Sequence, residues 1–269
     1  MPLLKTFSLF GDNRFYKPVV LKKTVDNLMI EDTFSVKPPI TVPAQARELH
    51  ERISKQLKEL LDINTPDCLD VQFVSGLYKI YSLLELYQQK IVADYSRKVT
   101  CAKGCCWCCY HWVEDVNSFE AQIAADYIQK KMPSRIDIIK TVCEQDIAVL
   151  ENLDRLVNEK MAQKRIGDEN DSMLYLLSAF YRMNRPCPLL DTEGNCAIYE
   201  LRPLTCRMYM NFSSPDNCHP ENINENEVST YIMDLDEDAN KLVDQLHFRY
   251  NKFGDDTGLR SLLLKYLQQ

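Results

Sequence analysis

Glycine is scarce in this 269-residue chain, with only seven, at positions 11, 76, 104, 167, 194, 254 and 258. Phosphate-cradling loops need closely spaced glycines so that the backbone can approach the ligand. Neither a G-x-G-x-x-G nor a Walker A pattern can be written from these positions. The sequence therefore argues against a dinucleotide-binding or P-loop enzyme. Long apolar runs are missing as well: no stretch approaches the roughly 18–20 residues that a membrane span requires. Basic runs are missing too. The net charge is −7, and pairs such as Lys22-Lys23 and Lys130-Lys131 are too short to track a nucleic-acid backbone. The first ten residues are mildly apolar but run into Gly11, Asp12, Asn13 and Arg14 without a small-residue cleavage site, so no secretory signal is expected. These absences read as a cytoplasmic protein that takes neither nucleic acid nor a membrane as partner. In that reducing compartment, dense cysteines are metal ligands or redox thiols before they are a disulfide framework.

Residues 1–43 carry Pro2, Pro18, Pro38, Pro39 and Pro43 with short β-favouring pieces, and read as an extended N-terminal arm with a short hairpin. From Ala44 the texture turns helical, and residues 44–269 read as a single helical domain, mainly α. Leu49, Ile53, Leu57, Leu60 and Leu61 recur at three- and four-residue steps. A second helix is expected over 70–92, with Val71, Val74, Tyr78, Tyr81, Leu84, Tyr87 and Ile91 inward. Asn117 stands three residues before Glu120, the spacing of a capping box. A long helix is expected from Pro133-Ser134 to Met161, and another from Asp171 or Ser172 with Leu174, Leu177, Phe180 and Tyr181 inward. Two more are expected over 227–250 and 257–268.

Against this ordinary helical background, ten of the eleven cysteines fall between Cys101 and Cys218, and five lie within nine residues: 101, 105, 106, 108 and 109. Cys187, Cys196 and Cys206 follow at spacings of about ten residues. Cys105-x2-Cys108 and Cys106-x2-Cys109 have the two-residue gap that lets a tight turn present both sulfurs to one metal. Gly104 beside them can supply a positive φ for such a turn. Four thiolates saturate a tetrahedral zinc, and at least seven are grouped here, which favours a cluster such as [4Fe–4S] or two metals held close together. Cys68 and Cys143 stand apart and read as buried small hydrophobes. The roles of His111 and of Cys218-His219, in a polar loop between Pro215 and Pro220, stay open. His50 and His247 sit on helical patterns as surface or packing residues.

The run Cys-x3-Cys-Cys-x-Cys-Cys, followed by Cys187-Pro-Leu-Leu, Cys196-Ala-Ile-Tyr199, Arg202-Pro203 and Cys206-Arg207, resembles the YkgJ-like cysteine-cluster family over roughly residues 101–210. That family is described as carrying a zinc- or iron-chelating domain. The resemblance implies metal binding through Cys101, Cys105, Cys108, Cys109, Cys187, Cys196 and Cys206, with Cys106 outside the set. It also extends to a flagellin lysine N-methylase with the same cysteine pattern. Seven thiolates around one metal core are net anionic. Arg202 and Arg207, flanking Cys206, can offset that charge and donate hydrogen bonds to sulfur. The expectation is a metal-binding protein that chelates zinc or iron, in a form open to an iron–sulfur cluster, through a two-segment site. The alternative is an iron–sulfur-dependent protein-modifying enzyme resembling that methylase. No acid–base pair that would mark a catalytic residue stands out.

Overall fold

The computed structural model describes residues 43–93, 98–102, 104–163, 169–221, 230–233, 235–254 and 258–269. The expected N-terminal arm, Pro43 apart, lies outside the described residues. Helix α1 (Ala44–Asp62) starts directly after Pro43, whose carbonyl accepts the N–H of Ala46 at 3.0 Å, and it buries Ala46, Leu49, Ile53, Leu57 and Leu60. Its partner α2 (Val71–Ala93) begins at Asp70, whose carboxylate accepts the Gln72 N–H at 2.8 Å. The two helices approach closely at Gly76, where a Cβ would collide with the Leu60 side chain.

The buried stripe of α2 runs through Phe73, Leu77, Ile80, Leu84, Tyr87 and Ile91, not through Val71, which is 81% exposed, or Tyr78, which is 41% exposed. Phe73 decides this rotation, because its ring meets Phe119 and Tyr250 edge-on at 5.7 and 4.9 Å.

Helix α3 (Ser118–Lys131) opens with the expected capping box, Asn117 and Glu120 satisfying each other's backbone N–H. A single 3-10 turn, Pro133–Arg135, leads into α4 (Ile136–Ala162), and α5 (Glu169–Arg182) packs beside it. Leu174 on α5 is 49% exposed where an inward position was expected, and Leu176 is buried in its place. One helical turn, α6 (Leu204–Arg207), precedes strand β1 (Tyr209–Asn211). That strand pairs antiparallel with β2 (Thr230–Ile232), Met210 opposite Tyr231. The helix expected over 227–250 starts only at Glu237, where the Asp236 carboxylate takes the Ala239 N–H at 2.8 Å. It is α7 (Glu237–Tyr250), and α8 (Leu259–Leu267) closes the chain. Apart from the small β1–β2 pair the regular structure among the described residues is helical. No helix among the described residues is long and apolar enough to cross a membrane.

The α1–α2 pair packs on α7, α3 packs on α7 and α8, and α8 packs on α4, which carries α5 on its other side. A large apolar core occupies the first set, and a smaller one, built from Val149, Leu153, Tyr175, Phe180 and others under Trp112, joins α4 to α5. One ionic group joins these parts. Asp146 on α4 has no exposure and accepts from two guanidiniums: Arg260 Nε on α8 at 2.6 Å, and Arg185 Nε just beyond α5. The Arg260 guanidinium also lies 5.5 Å from the Trp112 ring and 5.1 Å from that of Phe180. Removing one member of a buried ionic group strands the rest without water. Asp146→Ala is therefore expected to destabilise the chain by about 3–5 kcal/mol, read as a lower midpoint in urea unfolding.

Candidate metal centre

The cysteines leave the helices to the loops. The first segment runs from Thr100 to Trp112, between α2 and α3. Thr100 is tied to β1 through its N–H to the Asn211 carbonyl at 2.8 Å, and the Asn211 N–H donates to Cys101 Sγ at 3.3 Å. Gly104 adopts φ +89°, as the sequence suggested, and the chain turns there, with the Cys105 N–H reaching the Ala102 carbonyl at 2.9 Å. A 3-10 turn, Trp107–Tyr110, then carries Cys108 and Cys109.

The second segment runs from Arg185 to Arg207. Its Cys187 N–H donates to the Cys109 carbonyl at 2.8 Å, so the two cysteine segments are hydrogen-bonded to each other. Leu190 and Cys196 form an isolated antiparallel bridge around the turn at Asp191–Asn195, in which Gly194 has φ +80°. Cys206 sits on α6, and the first N–H of that turn, from Leu204, donates to the buried Glu120 carboxylate at 2.8 Å. The same carboxylate accepts the Tyr81 hydroxyl at 2.7 Å and the Asn117 amide at 2.9 Å. The capping residue of α3 thus also fixes the element that carries Cys206.

Three thiols share a local geometry. Cys105, Cys187 and Cys196 each take a backbone N–H from the residue two positions on, respectively Trp107, Leu189 and Ile198. Such N–H···S bonds stabilise the thiolate, and a tight turn supplies them when it turns its sulfur outward toward a metal. Electrostatically Cys108 is the hub. A charge on its sulfur bears on Cys101, Cys105, Cys106, Cys187, Cys196, Cys206 and Cys218. The Cys109 thiol donates a hydrogen bond to Cys108, which holds the Cys108 pKa down and pushes that of Cys109 up. Burial, with repulsion from neighbouring sulfurs, raises the others, Cys196 to about 11. These thiols cannot all ionise side by side without a cation among them.

Arg202 is the guanidinium whose charge reaches Cys108 and Cys196 and favours their thiolates. It lies 3.8 Å above the Tyr199 ring, its Nε donating to the Tyr199 carbonyl at 3.2 Å. Arg207 is buried and directed elsewhere: to Glu85 at 2.7 Å, to the carbonyls of Arg202 and Glu200 at 2.8 and 2.7 Å, and over the Tyr81 ring. It braces the 199–202 turn against α2.

Among the described residues, no group of three or more Cys, His, Asp or Glu side chains is drawn up around one point as a preformed cage. The donor set nevertheless fits a soft cation. It consists of sulfurs on two hydrogen-bonded segments, with backbone N–H groups and the guanidiniums of Arg202 and Arg260 favouring the ionised form. The remaining cysteines separate cleanly. Cys68 and Cys143 are fully buried in the core, and burial pushes each thiol up to about 12. Cys106 packs against the 191–195 turn, its Sγ 3.6 Å from where a Cβ on Gly194 would stand.

His111 is half-buried and stacked on Tyr181 at 3.8 Å, and desolvation together with Arg260 pushes its pKa down to about 3. His50 and His247 accept the backbone N–H groups of Asp236 and Ser118, each at 3.1 Å, which is packing and capping duty. Of the residues that position the site, Glu120 shows in the sequence only as a capping residue and Tyr181 only as an inward helix position, and Asp146 and Arg260 carry no spacing signal. A groove of about 600 Å³ lined by Arg52, Lys55, Tyr78, Lys79 and Leu86 runs between α1 and α2, and no cysteine lines it.

The positive φ at Gly194 strains any side chain placed there, although the space beside Cys106 would accept a Cβ in ordinary contact. Gly194→Ala is expected to cost about 1–2 kcal/mol, measured by urea unfolding of the metal-free protein.

Residues 100–231, just under half of the chain, match the family model CxxCxxCC, described as a "Putative zinc- or iron-chelating domain". No curated protein matches the chain, and no solved structure does.

Proposed function

We propose that this chain, whose residues 100–231 carry a CxxCxxCC domain, is a metal-handling protein that holds zinc or iron on thiolates from two segments. Cys101, Cys105, Cys108 and Cys109 supply one half of the site, and Cys187, Cys196 and Cys206 the other. The observation that supports this most directly is the 2.8 Å hydrogen bond from the Cys187 N–H to the Cys109 carbonyl, which joins segments nearly eighty positions apart. Arg202 is the charge-balancing group behind the sulfurs, and Arg207 holds the turn that presents it. A bound cation supplies the positive charge that lets the crowded thiols ionise together. Cys101 and Cys108 are exposed, so metal enters and leaves from solvent without opening the core, which suits storage or delivery better than a purely structural lock.

Elemental analysis of anaerobically purified protein tests this reading and fixes the metal. Colourless protein with stoichiometric zinc selects the zinc form, and coloured protein with iron and acid-labile sulfide selects an iron–sulfur cluster. Cys109→Ser and Cys206→Ser are each expected to lower metal content and the melting temperature together. Cys68→Ser is expected to leave metal content unchanged. Full metal retention in both cluster variants removes the two-segment site.

The pH dependence has a definite sign. Thiols whose pKa lies above the ordinary cysteine value hold their protons at neutral pH, and metal must displace them. Apparent affinity is therefore expected to rise with pH through the neutral and mildly alkaline range, with proton release on binding. Competition titrations at several pH values, with calorimetry in buffers of differing ionisation enthalpy, measure both.

A further inference from the structure

One thiol not counted in that site is built into its edge. Cys218 ends a 3-10 turn, Pro215–Cys218, that packs against the Trp107–Tyr110 turn of the first segment. The Tyr181 hydroxyl donates to the Cys218 carbonyl and reaches the Trp107 carbonyl at 3.3 Å, so one side chain clamps both turns. The His219 ring meets that of Trp107 edge-on at 4.4 Å. From the other side a short strap leads back to Cys101. Asn211 gives its N–H to Cys101 Sγ, accepts the Ser213 N–H at 3.0 Å and donates to the Ser213 carbonyl at 3.1 Å, and Ser214 caps the turn that ends in Cys218. Residues 211–218 therefore wrap the first cysteine loop and bring an eighth thiol to it.

We propose that Cys218 is a metal ligand and that the thiols form two adjoining four-thiolate sites, one from Cys101, Cys105, Cys108 and Cys218 and the other from Cys109, Cys187, Cys196 and Cys206. The backbone divides them this way. Cys101 and Cys218 share the Asn211–Ser214 strap, and Cys105 ends the turn at Gly104 that leads from Cys101 toward Cys108. Cys109, by contrast, is bonded through its carbonyl to Cys187, and Cys196 lies across the bridge from Leu190, three residues beyond Cys187. Charge on Cys101 and Cys105 bears on Cys218, and charge on Cys187 bears on Cys196 and Cys206, while Cys108 is felt by both groups. Eight thiolates match two tetrahedral divalent ions, with Cys108 and Cys109, neighbours in sequence and hydrogen-bonded through their side chains, at the seam. Cys106 belongs to neither set.

The two-site arrangement rests on the metal-binding reading above, and the test separates their failures. Metal-free full-length protein is titrated anaerobically with Co²⁺ while thiolate-to-cobalt charge-transfer absorbance is followed. The wild type is expected to saturate near about two ions per chain, and Cys218→Ser near about one with the absorbance roughly halved. Cys106→Ser is expected to match the wild type. A wild type that takes up no metal overturns both readings. A wild type saturating near one ion, or a Cys218→Ser variant indistinguishable from the wild type, overturns this one and leaves metal binding standing. Should Cys218→Ser fail to fold, alkylation of the zinc-loaded wild type read by peptide mass spectrometry decides: Cys218 protected and Cys106 labelled supports the assignment. Cys218 labelled as fast as in the metal-free chain ends it.

Discussion

The site depends on a buried guanidinium that touches no sulfur. Arg260 is fully buried, and besides Asp146 its donors go to two backbone carbonyls: His111 at 3.0 Å and Arg185 at 3.4 Å. His111 lies two residues after Cys109, and Arg185 lies two residues before Cys187. One side chain from the last helix therefore pins the exit of the first cysteine segment and the entry of the second, and the Cys187–Cys109 backbone bond closes between those pins. A charge sunk this deep is tolerated only with its partners in place. Asp146 is shared with Arg185, and the rings of Trp112 and Phe180 pack around the cation. Packing of α8 on α4, the small core under Trp112 and the meeting of the two thiol segments are thus one structural event.

A second constraint concerns charge. Many sulfurs in a small volume cannot all be anionic, and in the chain alone most keep their protons because burial and neighbouring thiolates act in the same direction. Cys108 is the exception, held toward its thiolate by the Cys109 hydrogen bond and by Arg202. It is also exposed to solvent. Each proton that then leaves a neighbour is offset by metal charge that was not there before. Proton release, ion entry and drawing together of the sulfurs are coupled for this reason.

Much of this was legible in the sequence where the signal is local. The Asn117–Glu120 capping box, the α1 stripe at Leu49, Ile53, Leu57 and Leu60, and the turn at Gly104 follow from three- and four-residue spacings and from a single backbone preference. What was not legible depends on partners far away in the chain. The rotation of α2 is set by Phe73 meeting Phe119 and Tyr250, which no window around Val71 contains. The β1–β2 pair uses three-residue strands, too short for a period to show, and it displaced the start of the helix expected at 227. Arg207 flanks Cys206 in sequence, yet its guanidinium turns toward Glu85 and Tyr81 because α2 offers both a carboxylate and a ring face. Arg202, which looks equivalent on paper, keeps its charge near Cys108 and Cys196.

The same reasoning bears on what metal does for the fold. Small zinc modules have too little core to fold without their ion, so metal binding and folding are one equilibrium. Here the ionic group at Asp146 and the carboxylate of Glu120 place the cysteine loops using only protein groups, and the apolar cores on both sides of α4 contain no ligand of the proposed site other than the half-committed thiols at its edge, such as Cys187. The ligands of the proposed site thus stand at the edge of the cores and not at their centre, unlike those of a module built around its ion.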